Sequence, residues 1–198
     1  MKVFGLTGGI GMGKSTAAQL LRERGMSVGD TDALARELVE PGQPALEEIK
    51  KIFGAELISA NGQLRRDEMA RRVFADSTAR KKLEDILHPR IRERWLAQIK
   101  TWRSEGKPLA VVVIPLLFET KAESRFDATI CVACSAETQR RRLLERGWTT
   151  EQIQQRIAAQ LPAETKMLLS DFVVWTEGSV ELHAEQLQRI LSVCGGGL

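Results

Sequence analysis

Apolar positions along the chain follow two rhythms. Five short runs are almost continuously apolar: "KVFGL" from Lys2, "MSVGD" from Met26, "PLAVVVI" from Pro108, "ATICVAC" from Ala128 and "FVVW" from Phe172. Runs of this length predict buried parallel strands, because helices cover both faces of a parallel sheet. Between the first two lies one helical stretch, "TAAQLLRER", closed by Gly25 where a left-handed residue ends a helix. This is a βαβ beginning. About 75 residues then separate Asp32 from Pro108, and their spacing is helical throughout: "ALARELVE", "PALEEIKKIF", "RDEMARRVF", "STARKKLEDIL" and "PRIRERWLAQIKTW". A crossover helix does not need so much chain. The excess predicts a helical subdomain over about 33–107, beside the strand ends where open α/β sheets bind ligands. On its last helix Trp95 and Trp102, with Ile91 and Ile99, read as packing. A second helical block is expected over about 137–169, and "VELHAEQLQRILSV" completes the sheet as a last amphipathic helix. The core of this single domain is then about 1–32, 108–136 and 170–193, and the "GGGL" tail reads as disordered.

Composition narrows the class. A chain of 198 residues, 43% hydrophobic and 28% charged, is an ordinary globular composition. No run approaches the roughly 18 apolar residues of a membrane span, and "MKVFGLTG" enters a strand with no signal-like segment, so a cytoplasmic protein is expected. The formal charge of +3, from 29 basic and 26 acidic residues, does not call for nucleic acid. Cys131 and Cys134 have the spacing of a redox or zinc half-site. On a strand, however, residues three apart face opposite sides roughly 10 Å from each other, too far for a disulfide. They read as core cysteines.

The chemistry is concentrated in "GLTGGIGMGKST", residues 5–16, where Gly8, Gly13, Lys14 and Ser15 make G-x-x-x-x-G-K-S between a strand and a helix. Gly8, Gly9, Gly11 and Gly13 let successive N–H groups turn inward as an anion nest, and the helix adds its own unpaired donors. Lys14 supplies a mobile cation toward the β and γ phosphates of ATP, and the Ser15 hydroxyl suits a bridging Mg2+. The strand that could carry a magnesium-holding aspartate runs instead into Pro115, which weakens a motor reading. The nearest match to a guanine-selecting sequence is "TKAE", ending in glutamate after the wrong strand. A small-molecule kinase needs a base, and Asp30 and Asp32 in "GDTDALAR" both qualify, although either could cap the next helix. Other readings are a nucleoside or shikimate-like kinase, a regulatory nucleotide switch, and a nucleic-acid binder using the cluster from Arg140 to Arg146.

Five segments together, "GLTGGIGMGKST", "GDTDALARELVEPGQPAL", "LHPRIRERW", "VVVIPLLFET" and "RIAAQLPAETK", resemble the dephospho-coenzyme A kinase family from about Val3 to Leu191. The resemblance implies an α/β phosphate-loop kinase fold in three layers, with a parallel five-stranded sheet, a helical acceptor-binding subdomain and a helical lid. It implies transfer of the ATP γ-phosphoryl group to the ribose 3'-hydroxyl of dephospho-coenzyme A. Gly11, Met12, Gly13, Lys14, Ser15 and Thr16 then hold ATP phosphates, Asp32 acts as base and Asp30 supports it. Arg66, His88 and Glu119 match acceptor-side residues of the family, and Arg142 and Arg146, four apart on one helix side, match two lid arginines. Neither a nucleic acid nor a membrane is implied as partner. Met12 stands where the family usually has serine, "GW" follows Arg146, and Thr176 stands where an asparagine is common.

Overall fold

The computed structural model describes residues 1–195. The expectation for the glycine tail lies outside the described residues from position 196 on. In chain order the elements are β1 (Lys2–Thr7), α1 (Lys14–Glu23), β2 (Ser27–Asp30), α2 (Thr31–Glu37), α3 (Pro44–Phe53), α4 (Arg66–Ala75), α5 (Ser77–Ser104), β3 (Leu109–Val113), β4 (Ala128–Ala133), α6 (Ala136–Glu145), α7 (Thr150–Ala158), α8 (Ala163–Leu169), β5 (Phe172–Trp175) and α9 (Val180–Gly195). The chain divides into two compact units, one of Met1–Asp30 with the chain from Ile99 onward, the other Thr31–Gln98. Among the described residues no helix is long and apolar enough to cross a membrane.

All five strands of the first unit are parallel, in the order β2-β3-β1-β4-β5. Alternate positions supply its core: Phe4 and Leu6 of β1, Val111 and Val113 of β3, and Ile130 and Val132 of β4 gather with Leu21 of α1 and Leu187 of α9. On the opposite face Ala163 and Met167 of α8 pack against Met12, Ala133 and Cys134. Covered faces explain why the strand sequences are apolar without alternation. From β1 the chain crosses toward β2, whereas from β4 it crosses toward β5 on the other side. The adjacent ends of β1 and β4 therefore form the topological switch point, where open α/β sheets have a crevice.

The second unit is helical, and Leu38, Ile49, Phe53, Met69, Val73 and Ile86 belong to its own core. Here the structure differs from the spacing. "STARKKLEDIL" and "PRIRERWLAQIKTW" are one helix of 28 residues with Pro89 inside it, not a helix beginning at Pro89. Proline cannot donate to the carbonyl four residues back. One residue on, the Arg90 side chain donates to the Ile86 carbonyl at 2.6 Å and to Glu48 at 2.6 Å, which ties this part of the helix to α3. Trp95 and Ile99 of this helix are buried, as a packing face requires.

Leu21, fully buried between sheet and α9, should be a sensitive probe of the core. Leu21→Ala is expected to cost roughly 2 to 5 kcal/mol by lost burial and a residual cavity. The check is urea unfolding, with a lower midpoint and an unchanged slope.

Candidate functional site

The site begins at the end of β1, the middle strand, where residues 8–13 turn the chain into α1. Gly8 has φ 146°, and a Cβ there would lie 2.3 Å from the Val132 carbonyl oxygen of β4, so no side chain fits. Gly13, at φ 97°, caps α1 without a side-chain hydrogen bond, leaving the helix N-terminus to the loop. Lys14 Nζ donates to the Gly8 and Gly9 carbonyls at 2.8 and 3.0 Å, and the Met12 N–H donates to Gly9 at 3.2 Å. Met12 is buried, so it contributes backbone to the loop while its side chain packs below. Ser15, on the first turn of α1, is exposed.

A cavity of about 220 Å³ opens at this loop, lined by Gly11, Gly13, Thr16, Arg142, Arg146 and Thr176 among others. Six of the residues singled out in the sequence thus meet in one place. Arg142 is fixed: its guanidinium donates to Thr176 Oγ1 at 2.9 Å and to the Thr176 carbonyl at 2.5 Å. The Thr176 hydroxyl in turn donates to the Met12 carbonyl at 3.0 Å. One threonine therefore ties the loop after β5 to both α6 and the phosphate loop. Arg146, at the C-terminal cap of α6, is exposed, whereas Arg141 points away toward Glu145. His183 of α9 also lines the cavity. Burial, and then the Arg142 charge, hold its imidazole below the ordinary value and favour the neutral ring.

Two further networks position the helices around the loop. Ser135 caps α6, accepting from Thr138 N–H at 3.2 Å, and both its hydroxyl and its N–H donate to Glu177. The Ser135 hydroxyl and then its N–H push the Glu177 carboxyl down to about 2. Lys166 of α8 is wholly buried, its Nζ 2.8 Å from Glu119 and donating to the Pro115 carbonyl at 2.6 Å. Glu119 also accepts the Leu161 N–H at 2.9 Å. The structure thus places Glu119 in a buried ion pair that joins the end of β3 to α8. Cys131 and Cys134 are buried free thiols, and burial raises that of Cys131 to about 11, which leaves it unreactive.

Asp30 ends β2, in register with Val113 of β3. Asp32 belongs to the second unit, exposed in the first turn of α2. Arg66 begins α4 and donates to the Arg36 carbonyl at 3.3 Å and to Glu40 at 3.2 Å. It lines an almost wholly apolar groove of about 270 Å³ with Arg36, Val39, Met69, Ala70 and Val73. His88 follows Leu87, another lining residue, and its pKa is lowered, by burial first, against the opposing Glu84. Sequence reasoning missed Lys166, Glu177, His183, Gln139 and Gln160, all polar types in helical stretches or loops. The only signal was that Gln160 and Lys166 fall within "RIAAQLPAETK".

The model of the dephospho-CoA kinase family matches residues 2–181. The chain belongs to the dephospho-CoA kinase family. A dephospho-CoA kinase of Anaeromyxobacter dehalogenans is 46% identical over 198 residues, covering 100% of this chain and 94% of its own. A crystal structure of a Thermus thermophilus protein superposes with TM-score 0.83 at 36% identity, over 97% of this chain and 96% of that one. A dephospho-CoA kinase from Campylobacter jejuni gives 0.70 at 26% identity, over 98% of both chains. The phosphate-loop kinase fold implied by the sequence is the fold observed.

The Glu177 contact generates a pH-dependent stability. A carboxyl lowered from 4.5 to about 2 on folding stabilises fully above its unfolded value, and that stability is lost as pH falls from 4.5 toward 2. Thermal unfolding should show Glu177→Gln below the unmodified chain at neutral pH, with the gap closing through this acidic window. A gap independent of pH would contradict the assignment.

Proposed function

We propose that this chain transfers the γ-phosphoryl group of ATP to the ribose 3'-hydroxyl of dephospho-CoA, yielding CoA and ADP in the last step of coenzyme A synthesis. The reading is carried by the phosphate loop at the switch point, facing Arg142 and Arg146, in a chain of the dephospho-CoA kinase family. In this scheme Gly8, Gly9, Gly11 and Gly13 offer backbone donors to the phosphates, with Thr16 beside them, while Met12 shapes the loop by donating its N–H to the Gly9 carbonyl. Lys14 Nζ, resting on the Gly8 and Gly9 carbonyls, swings to the phosphate oxygens. The donor set fits magnesium: Ser15 offers an exposed hard oxygen, and among the described residues no group of three or more His, Cys, Asp or Glu forms a cage. The ion, when bound, neutralises charge shared between the β and γ phosphates.

Asp32 accepts the proton of the attacking hydroxyl as the new P–O bond forms and the bond to ADP breaks, and Asp30 supports it. Arg142, held by Thr176, and Arg146, exposed beside it, meet the charge that spreads over the transferred oxygens. The helices α6 to α8 serve as the lid, and residues 31–98 as the acceptor unit. Arg66 lines the apolar groove that we assign to the acceptor, and His88, next to the lining residue Leu87, is assigned to the same side. Glu119 supports the site through Lys166. The enzyme is assigned to the cytoplasm, where its buried thiols stay reduced.

Mass spectrometry after incubation with ATP, magnesium and dephospho-CoA should show one phosphoryl group added at the 3' position. Asp32→Asn should lower kcat by roughly 10² to 10⁴-fold while ATP still binds. A severe Asp30→Asn with a harmless Asp32→Asn would reverse the two roles. Arg146→Ala should lower kcat at least about tenfold, equivalent to about 1.4 kcal/mol in the barrier, and Arg141→Ala should be mild. Equal, small losses at both arginines would remove the lid assignment.

A further inference from the structure

Ile10 sits at the crown of the phosphate loop, and both of its backbone polar groups are held by side-chain amides from the lid segment. Gln160 Oε1, just after α7, accepts the Ile10 N–H at 3.1 Å. Gln139 Nε2, buried on α6, donates to the Ile10 carbonyl at 2.7 Å. The partners fix which end of each amide faces the loop: a donor N–H requires the Gln160 oxygen, and an acceptor carbonyl requires the Gln139 nitrogen.

In a trans peptide the N–H and C=O point in opposite directions, and no cis peptide occurs among the described residues. Gln160, by drawing the Ile10 N–H outward, turns the Gly9 carbonyl the other way, where it accepts from Lys14 Nζ at 3.0 Å and Met12 N–H at 3.2 Å. By the same geometry Gln139, holding the Ile10 carbonyl, turns the Gly11 N–H away from α6's amide, and Gly11 lines the cavity beside Arg142. Peptide planes in a glycine-rich loop flip at little cost unless something holds them. A donor already oriented gives affinity that a mobile one loses to ordering.

We propose that Gln139 and Gln160 are positioning residues that set the two peptide planes flanking Ile10, and so pre-organise the phosphate loop for ATP. The inference rests on the reading of residues 8–13 as the ATP phosphate site. Neither side chain touches the reacting atoms.

The test is calorimetric titration of ATP with magnesium into the whole chain and its Gln139→Met, Gln160→Met, Gln139→Glu and Gln160→Glu variants, alongside thermal unfolding and acceptor KM. The methionine variants keep the shape and remove the hydrogen bond, and should weaken ATP about tenfold with acceptor KM and unfolding temperature nearly unchanged. The two glutamate variants add a charge beside the same residue but reverse the hydrogen-bond match at only one of the two Ile10 groups, and the unfolding temperature shows what the more buried position 139 costs in stability. A glutamate at 160 can still accept the Ile10 N–H, whereas one at 139 sets an acceptor against the Ile10 carbonyl. The Gln160→Glu chain should therefore bind ATP at least about fivefold more tightly than the Gln139→Glu chain. Methionine variants with unmodified ATP affinity, or indistinguishable glutamate variants, would overturn the clamp. If the Gln139 variants do not fold, Gln160→Met decides, and unchanged ATP affinity there overturns it. An unmodified chain that does not bind ATP overturns the ATP reading together with the clamp, whereas one that binds equally well whatever stands at 139 and 160 overturns the clamp alone.

Discussion

A phosphate loop has to bring many N–H donors to one point, and in this chain the packing of residues 8–13 against β4 is the constraint from which the site follows. The missing side chain at Gly8 allows the loop to lie on the Val132 carbonyl, where a Cβ would sit at 2.3 Å. Because β1 and β4 are neighbours at the switch point, the same closeness brings α6, which follows β4, over the loop. Arg142, Arg146 and Gln139 reach the loop from that one helix. The Thr176 hydroxyl closes the arrangement by bonding the Met12 carbonyl while holding Arg142. The loop backbone, the Arg142 cation and α6 are thus parts of one hydrogen-bonded assembly rather than separate contributions.

The buried Lys166 extends the same logic to the opposite face of the sheet. An uncompensated ammonium there would be strongly destabilising, and its partners Glu119 and the Pro115 carbonyl are both in the segment that leaves β3. Glu119 also holds the Leu161 N–H, directly after Gln160 in the chain. The residues that hold the loop are themselves held, which is how a hydrogen bond to Ile10 can be positioned rather than left to a flexible connection. The second unit is built differently, as a helical unit with its own core and an apolar groove with arginines among its lining residues.

The chemistry of the loop was legible because G-x-x-x-x-G-K-S depends on glycine and lysine at fixed positions, and the strands because burial on both faces leaves an unbroken apolar run. The continuity of α5 was not legible: proline marks a helix boundary by rule, and the Arg90–Glu48 pair that ties the helix to α3 spans 42 residues of sequence. Gln139, Gln160 and Lys166 were hidden for another reason. These residue types usually face solvent, and only the three-dimensional partners, Ile10, Glu119 and Pro115, reveal that here they face inward. Thr176 was visible as a departure from the family, but its bonds to Met12 and Arg142 were not.

The central claim is that the hydroxyl phosphorylated by this loop belongs to dephospho-CoA. The most direct measurement is a comparison of kcat/KM for dephospho-CoA, adenosine, AMP and shikimate under identical ATP and magnesium concentrations. The account predicts that dephospho-CoA is preferred by orders of magnitude and that its 3'-phosphorylated product accumulates in step with ADP. Faster phosphorylation of shikimate or a nucleoside, or ADP release indifferent to every acceptor, would contradict it.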